Sequence, residues 1–203
     1  MKELEATYDK IAEDWSKDHN GDSWWVEGTE HLVSLLPHGA SILDVGCGTG
    51  HKTKYFFEKG LAVVGADFSE GMLAVAKREV PGARFMKLDL YDIDQAPDRY
   101  DCVFAQAVFL HIPKKDVVSI LEKAKKILNP GGYVYVAVKE AWPGQPDERV
   151  EVENDYSYEY RRFFSYFTAE EFRSYFKQAG YTVMHESITP IGKTRWLQMI
   201  AKA

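Results

Sequence analysis

The chain has 203 residues and a formal net charge of −6, and 45% of its residues are hydrophobic and 28% charged. A chain of this length suits one α/β domain with a sizeable core, whereas two full domains would be cramped. The charges are spread along the sequence without a long basic run. This weighs against general binding to nucleic acid or to an anionic membrane, because both need a concentrated positive face.

The cysteines and the amino terminus narrow the class of protein further. Cys47 and Cys102 are too few, at this spacing, for a disulfide framework or a Cys/His metal site, so we expect no metal. The first residues contain no apolar signal core, and no apolar run reaches the length of a membrane span. These patterns predict a cytoplasmic protein with no membrane partner.

The first predicted elements are two helices. Apolar residues recur at helical spacing over residues 3–17, and a second helix is predicted over residues 24–36, before Pro37. The segment between them, residues 19–23, is polar and rich in turn formers, which suits a hinge.

A glycine-rich loop follows the first predicted strand, Ser41–Val45. A strand that ends in glycines and continues as a helix, here over residues 52–59, brings backbone N–H groups and a helix N-terminus close to a ligand. A dinucleotide fingerprint does not fit, because the third glycine comes one residue early, and a phosphate loop fails at His51, which replaces a required glycine. Asp44 would oppose a pyrophosphate but suits a ligand with an ammonium and a sulfonium group.

Two further predicted strands also end at an acidic residue. Residues 61–66 lead to Asp67, which lies 21 residues beyond Gly46, the spacing at which an acid meets ribose hydroxyls in such folds. Residues 83–88 lead to Asp89. The carboxyl ends of consecutive parallel strands meet at one edge of a doubly wound sheet, so these acids should converge with Asp44 there. Such a cluster is unfavourable without a cationic or hydroxyl-rich ligand.

The second half of the chain predicts four more strands and two more helices. The strands are expected over residues 100–105, 133–138, 181–187 and 195–201, and the helices over residues 117–128 and 168–179. Residues 140–167 interrupt the alternation and are unusually aromatic, so they suit a lid or substrate wall, or equally a flap over the sheet edge or a dimer contact. We predict one α/β domain over residues 1–203, with a doubly wound sheet of about seven strands, helices on both faces and an antiparallel C-terminal hairpin.

Three motifs resemble one enzyme family. The run D-V-G-C-G-T-G at residues 44–50 resembles motif I of the class I S-adenosylmethionine (SAM)-dependent methyltransferases. Residues 8–12 resemble the Y-D-x-I-A segment that precedes many domains of the small-molecule type, and P-G-G-Y-V-Y-V at residues 130–136 is also typical. The likeness extends from about Tyr8 to the C-terminus.

The resemblance implies a Rossmann-like fold, SAM as cofactor and methyl transfer to a small-molecule acceptor. It implies that residues 1–36 form a helical lid, that Asp89 accepts a hydrogen bond from the adenine amino group, and that the backbone around Gln106 and Val108 holds the methionyl portion. The expected cofactor-binding residues are Tyr8, Asp44, Gly46, Cys47, Gly48, Asp67, Phe68, Met72, Asp89, Leu90, Gln106 and Val108.

The acceptor side is less well defined by the sequence. His111 follows the fourth strand, where the acceptor is expected, and is the candidate general base, the alternative being a loop histidine held by a backbone hydrogen bond. The aromatic segment suggests an aromatic acceptor, and Arg161 with Arg162 suggests an anionic one. A macromolecular acceptor (a tRNA base or a protein), a non-catalytic SAM- or nucleotide-binding module and a nucleotide hydrolase stay open as alternatives, as does the choice between monomer and homodimer; no nucleic-acid partner is expected.

Overall fold

The computed structural model describes residues 2–19, 21 and 23–203. Its strands are β1 Ser41–Val45, β2 Ala62–Asp67, β3 Arg84–Lys87, β4 Tyr100–Gln106, β5 Leu128–Lys139, β6 Glu148–Glu153, β7 Tyr160–Ser165, β8 Thr182–Ile191 and β9 Thr194–Lys202. Seven of them form one sheet in the order β3-β2-β1-β4-β5-β9-β8. The first five in this order are parallel, and β9 is antiparallel to both β5 and β8, which confirms the predicted fold.

The helices alternate with the parallel strands. They are α1 Lys2–His19, α2 Val26–Leu35, α3 His51–Glu58, α4 Glu70–Glu79, α5 Val117–Lys126 and α6 Ala169–Gln178, with 3-10 segments at Leu90–Gln95, Phe109–His111 and Lys114–Asp116. A capping box at Thr168 and Glu171 starts α6, as its sequence predicts. No helix in the described ranges is both long and apolar enough to cross a bilayer.

The core lies on both faces of the sheet. One face packs against α2 and α3 through a cluster that includes Ile42, Phe56 and Phe104. The other face packs against α5 and α6 through a larger cluster that includes Leu43 and Val103. Neighbouring residues of one strand therefore enter opposite clusters, which explains why the parallel strands read as continuous apolar runs.

The start of β5 differs from the sequence prediction. The predicted strand covers residues 133–138, but the observed strand already begins at Leu128, which pairs with Tyr100. The register shifts between Tyr100 and Cys102, and Gly131 adopts a positive φ of 76° within the strand. An irregularity of this kind absorbs the extra residues without ending the strand, and the Pro-Gly-Gly run gives no sign of it.

The aromatic segment 140–167 contains an antiparallel pair of strands, β6 and β7, that lies outside the main sheet. Tyr160 of β7 is buried and packs with Ile11 and Ala12 of α1. On the opposite side of the pair, Val150 of β6 remains exposed. The segment is thus a two-stranded wall packed on the N-terminal helix, and this hairpin was not predicted from the sequence.

Candidate functional site

A cavity of about 290 Å³ opens where the carboxyl ends of β1, β2 and β4 meet. We call it the main cavity. The sequence-predicted residues that line it are Tyr8, Asp44, Gly46, Cys47, Gly48, Asp67, Phe68, Met72, Gln106, Val108 and His111. The fold therefore brings together side chains from α1, the glycine loop, α4 and the segment after β4.

Two glycines shape the floor of the main cavity. Gly46 has a φ of +64°, and a Cβ there would lie 2.3 Å from a methyl group of Val108, so a side chain would collide. Gly48 has a φ of +53°, and nothing lies within 4 Å of its would-be Cβ. Both positions need the left-handed conformation that glycine adopts readily. The open space at Gly48 lets a ligand approach the backbone closely.

Asp44 is a buried carboxylate at the end of β1. It accepts a hydrogen bond of 2.6 Å from the Thr53 hydroxyl of α3. Burial raises the pKa of Asp44 to about 7, although the Thr53 hydrogen bond and Lys52 oppose the shift. Near neutral pH this group is therefore poised between its two protonation states, and a nearby cation would favour the ionised state.

Asp67 is the last residue of β2 and lies two positions beyond Gly65, the partner of Asp44 in the sheet. Its two oxygens accept hydrogen bonds from the backbone N–H groups of Gly48 at 2.8 Å and Ser69 at 2.9 Å. Burial raises the pKa of Asp67 to about 6, against the lowering effect of these N–H groups. Two carboxylates of elevated pKa thus face one cavity, which is the charge pattern that a cationic ligand would relieve.

Gln106 adds an acceptor to the same cavity. The side-chain oxygen Oε1 is buried and has no hydrogen-bond partner among the described residues. Leaving a buried acceptor unpaired is unfavourable by about 1–3 kcal/mol, so a ligand donor at this position would be stabilising. The oxygen acceptors of the cavity suit a ligand with an ammonium group and hydroxyl groups.

Asp89 and Leu90 do not line the main cavity. They line a small adjoining recess whose walls include Gly46, Phe68 and Val108, residues that the main cavity also uses. The Asp89 side chain accepts a 3.0 Å hydrogen bond from the Tyr91 N–H and caps a 3-10 segment. Since β3 ends at Lys87, the chain turns before Asp89 reaches the cavity. The expected convergence of three acids is thus seen for two of them.

A second chamber of about 310 Å³ adjoins the main cavity. The two share Tyr8, Ala107, His111 and Trp196, among other residues. The residues that line only the second chamber are Asp18, Leu110, Lys139, Asp155, Tyr156, Tyr160, Arg162 and Phe164. Ala107 adopts a φ of +57°, which is strained for a residue with a Cβ. This strained backbone lies on the wall common to both spaces.

Both ring nitrogens of His111 form hydrogen bonds. Its Nδ1 lies 2.7 Å from the carbonyl oxygen of Phe163, and a carbonyl only accepts, so Nδ1 carries the proton. Its Nε2 therefore accepts from the Tyr8 hydroxyl at 2.8 Å. Burial lowers the pKa of His111 to about 3, which makes the imidazole neutral at physiological pH.

The Tyr8 hydroxyl links His111 to the aromatic wall. Arg162 Nη1 donates to the Tyr8 oxygen at 3.1 Å, and Arg162 also forms two hydrogen bonds, of 2.6 and 2.5 Å, to Glu153. Glu153 therefore already neutralises Arg162, and the contact of Arg162 with an anionic acceptor group stays a prediction. Arg161 is exposed, lies 3.3 Å from Glu159 and lines neither space.

Asp9 is a contact residue that sequence reasoning missed. Its Oδ1 accepts hydrogen bonds from the Ser69 hydroxyl at 2.6 Å and from the Gly71 N–H at 2.9 Å. A Cβ at Gly71 would lie 2.7 Å from the Asp9 carbonyl oxygen, so this glycine permits the close approach of α1. Asp9 stands beside Tyr8 in the Y-D-x-I-A motif, and this proximity was the available signal.

The comparisons with known proteins agree on a family. Residues 42–132 match a family model described as a methyltransferase domain. Trans-aconitate 2-methyltransferase of Methylobacterium nodulans is 34% identical over 109 residues, which are 52% of this chain and 41% of that protein. Ubiquinone biosynthesis O-methyltransferase of Leptothrix cholodnii is 30% identical over 119 residues, 56% of this chain and 48% of that protein. The chain is thus matched to less than half the length of these curated relatives.

A solved structure with the same fold covers nearly the whole chain. It is the Burkholderia thailandensis 1,6-didemethyltoxoflavin-N1-methyltransferase with bound 1,6-didemethyltoxoflavin and S-adenosylhomocysteine. The alignment has a TM-score of 0.77 at 21% identity and covers 98% of this chain and 86% of that chain. At this level of identity the likeness establishes the shared fold.

Proposed function

We propose that this chain is a class I SAM-dependent methyltransferase and that it transfers the methyl group of SAM to a small-molecule acceptor by in-line displacement. The observation that carries the proposal is the main cavity, where Asp44, Asp67 and Gln106 offer oxygen acceptors at the ends of neighbouring strands. Buried carboxylates and an unpaired amide oxygen are stabilised by a ligand with cationic and hydroxyl groups. SAM carries both kinds of group.

The residues present fit SAM by their chemistry. We assign the ribose hydroxyls to Asp67, because a carboxylate can accept two hydrogen bonds from a vicinal diol. Asp44 and the Gln106 oxygen suit the cationic methionyl end, and Asp89 with Leu90 suits adenine in the adjoining recess. When bound, SAM supplies a methyl group on a sulfonium, which needs no further activation before displacement.

The acceptor is assigned to the second chamber. This chamber shares Tyr8, Ala107 and His111 with the main cavity, so a molecule inside it would face the ligand across a common wall. Holding two reactants in line can contribute about 7–11 kcal/mol to lowering a barrier. Aromatic walls favour an aromatic acceptor, and the names of the trans-aconitate and ubiquinone-biosynthesis relatives support a small molecule.

His111 is the proposed general base, acting through Tyr8. The acceptor would give its proton to the Tyr8 oxygen while the Tyr8 hydroxyl proton passes to His111 Nε2, along the hydrogen bond already present. Arg162 would stabilise negative charge on the Tyr8 oxygen during the transfer. A base whose pKa is about 3 accepts protons poorly from alcohols, so this route serves an acceptor that is itself acidic.

Calorimetry with SAM and S-adenosylhomocysteine tests the proposal. We expect micromolar binding of both ligands and its loss in Asp67→Ala, which removes the acceptor assigned to the ribose. Asp98→Ala is the matched control, because Asp98 is an exposed carboxylate that lines neither the main cavity nor the second chamber. A folded wild-type protein that gives no heat with either ligand would contradict the proposal, as would unchanged binding in Asp67→Ala.

A further inference from the structure

Lys139 is a half-buried cation that forms no ion pair with a carboxylate of the described residues. It stands at the carboxyl end of β5 and lines the second chamber. Its Nζ lies 3.9 Å from the ring centroid of buried Phe164. No carboxylate oxygen of the described chain lies within 4 Å of that nitrogen. A cation–π contact stabilises an ammonium group less than an ion pair does in a partly desolvated site.

The two arginines near Lys139 already have carboxylate partners. Arg162 is paired with Glu153 at 2.5 Å, and Arg149 is paired with Glu151 at 2.8 Å. Lys139 is therefore the one of these three cations that forms no ion pair within the described residues, and the two carboxylates that line the chamber wall are those of Asp18 and Asp155. Burial is the largest effect on the pKa of Lys139 and lowers it; Glu151 and Glu153 oppose this shift, whereas Arg162 and Arg149 add to it. The ammonium form would therefore be stabilised by an anion that enters the chamber.

The acids on the chamber wall limit that anion to a single charge. Asp18 and Asp155 are both exposed, whereas Lys139 is half-buried. Tyr160 donates a 3.0 Å hydrogen bond to Asp155, which holds this carboxylate near the chamber. A dianion such as a phosphate monoester would be repelled by the two acids, whereas a carboxylate brings one charge that Lys139 can neutralise.

The other walls complete the description of the ligand. Trp15, Tyr156, Tyr160, Phe164 and Trp196 line the chamber. Its volume of about 310 Å³ lies at the small end of ligand pockets, which suits one substituted ring. We propose that the second chamber binds a small aromatic carboxylic acid and that Lys139 is the anchor for its carboxylate. The identification of this acid as the methyl acceptor rests on the proposed function, whereas its binding does not.

Two ligands of nearly the same shape, one a carboxylate and the other a neutral amide, test the anchor. The probes are 4-hydroxybenzoate and 4-hydroxybenzamide, titrated into the full-length protein saturated with S-adenosylhomocysteine and followed by tryptophan fluorescence and ligand-observed NMR. The wild-type protein should bind the acid at least about ten-fold more tightly than the amide, as expected for a charge-assisted contact. In Lys139→Met this preference should fall below about two-fold.

Variants separate an anchor from a proton acceptor. Lys139→Arg keeps the positive charge but cannot act as a base, so retained preference for the acid supports an anchor. The surface variant Lys177→Met is the control for loss of a lysine, and Lys139→Gln replaces Lys139→Met should the latter melt early. In the wild-type protein, 13C-detected NMR of the lysine ε-carbon should show that the acid raises the pKa of Lys139.

Three results would overturn the anchor. They are equal binding of acid and amide to the wild-type protein, a preference that survives in both Lys139→Met and Lys139→Gln, and failure of the acid to bind at millimolar concentration. Binding of S-adenosylhomocysteine, measured separately by calorimetry, should be the same in all variants. If that binding fails while the acid preference persists in apo protein, the proposed function falls and the carboxylate site stands.

Discussion

The hydrogen bonds of His111 define what its removal should do. Because Nδ1 donates to Phe163 and Nε2 accepts from Tyr8, the imidazole is a neutral link in a chain that ends at Arg162. His111→Ala removes the proposed proton acceptor and should lower kcat by about 10²-fold. The affinity for SAM should stay within about two-fold, because the assigned contacts of SAM are made by other residues.

Single-turnover kinetics and calorimetry on the same preparation check this prediction. Tyr8→Phe is the companion variant, since it keeps the ring and removes only the hydroxyl that donates to His111. A similar loss of kcat in both variants supports the relay. Unchanged turnover in His111→Ala would remove His111 from the mechanism.

At the scale of elements, Asp9 makes two of the polar contacts that dock α1 on the core. Asp9 accepts from Ser69 and Gly71 at the N-terminus of α4, where carboxylates are favoured by the unpaired N–H groups. Asp9→Ala should weaken this docking by about 1 kcal/mol, since Asp9 is exposed and its contacts resemble a helix cap. Because α1 carries Tyr8 into the main cavity, affinity for SAM should fall by about five-fold.

Hydrogen exchange measured by mass spectrometry locates the effect. Peptides from residues 2–19 should exchange faster in Asp9→Ala, while those from β1 and β4 should not change. Asp14→Ala is the control on the same helix, because Asp14 is only partly buried and pairs only with Lys17 among the described ion pairs. Equal protection of α1 in the two variants would show that Asp9 does not hold the helix.

The elements that were predicted correctly are those whose pattern lies within a short stretch of the sequence. The strand at 41–45 and the capping box at Thr168 each depend on a few consecutive residues, and both are present as predicted. The hairpin of β6 and β7 was missed because its strands are defined by pairing with each other and by packing on α1, neither of which has a local signature. In the same way, the sequence did not show that Glu153 pairs with Arg162, because only the fold places the two side chains together.

The candidate site shows the same division. Glycines and strand-end acids point to the main cavity, since the rule for parallel sheets converts sequence order into a shared edge. That rule predicts where a strand ends but not where a side chain near its end lies. Nothing in the sequence indicates that Asp89 lines the neighbouring recess and not the main cavity. Lys139 is the last residue of an apolar strand, and only the structure shows that it lines the second chamber.

For the whole molecule, stability and ligand binding are linked through Asp44 and Asp67. Burial raises their pKa values to about 7 and 6, against ordinary values of about 3.9. Between pH about 4 and the raised pKa values, Asp44 and Asp67 are deprotonated in the unfolded chain but retain their protons in the folded chain. The contribution of both groups to the free energy of unfolding is therefore largest below pH about 4 and is lost as the pH rises through about 6 and 7.

A cationic ligand favours the ionised carboxylates, so its affinity should rise with pH, whereas the stability contributed by the two groups falls. SAM binding should thus release protons near pH 6.5, and its affinity should rise between about pH 5.5 and 7.5, by at most about ten-fold per pH unit for each group that titrates. Calorimetry in two buffers of different ionisation enthalpy measures the number of protons released. Asp44→Asn removes one titrating group while it keeps a hydrogen-bond acceptor for Thr53, so the release should fall in this variant. Proton uptake on binding, or an affinity that declines over this pH range, would contradict the assignment of Asp44 to the positive charge of the ligand and of Asp67 to its hydroxyl groups.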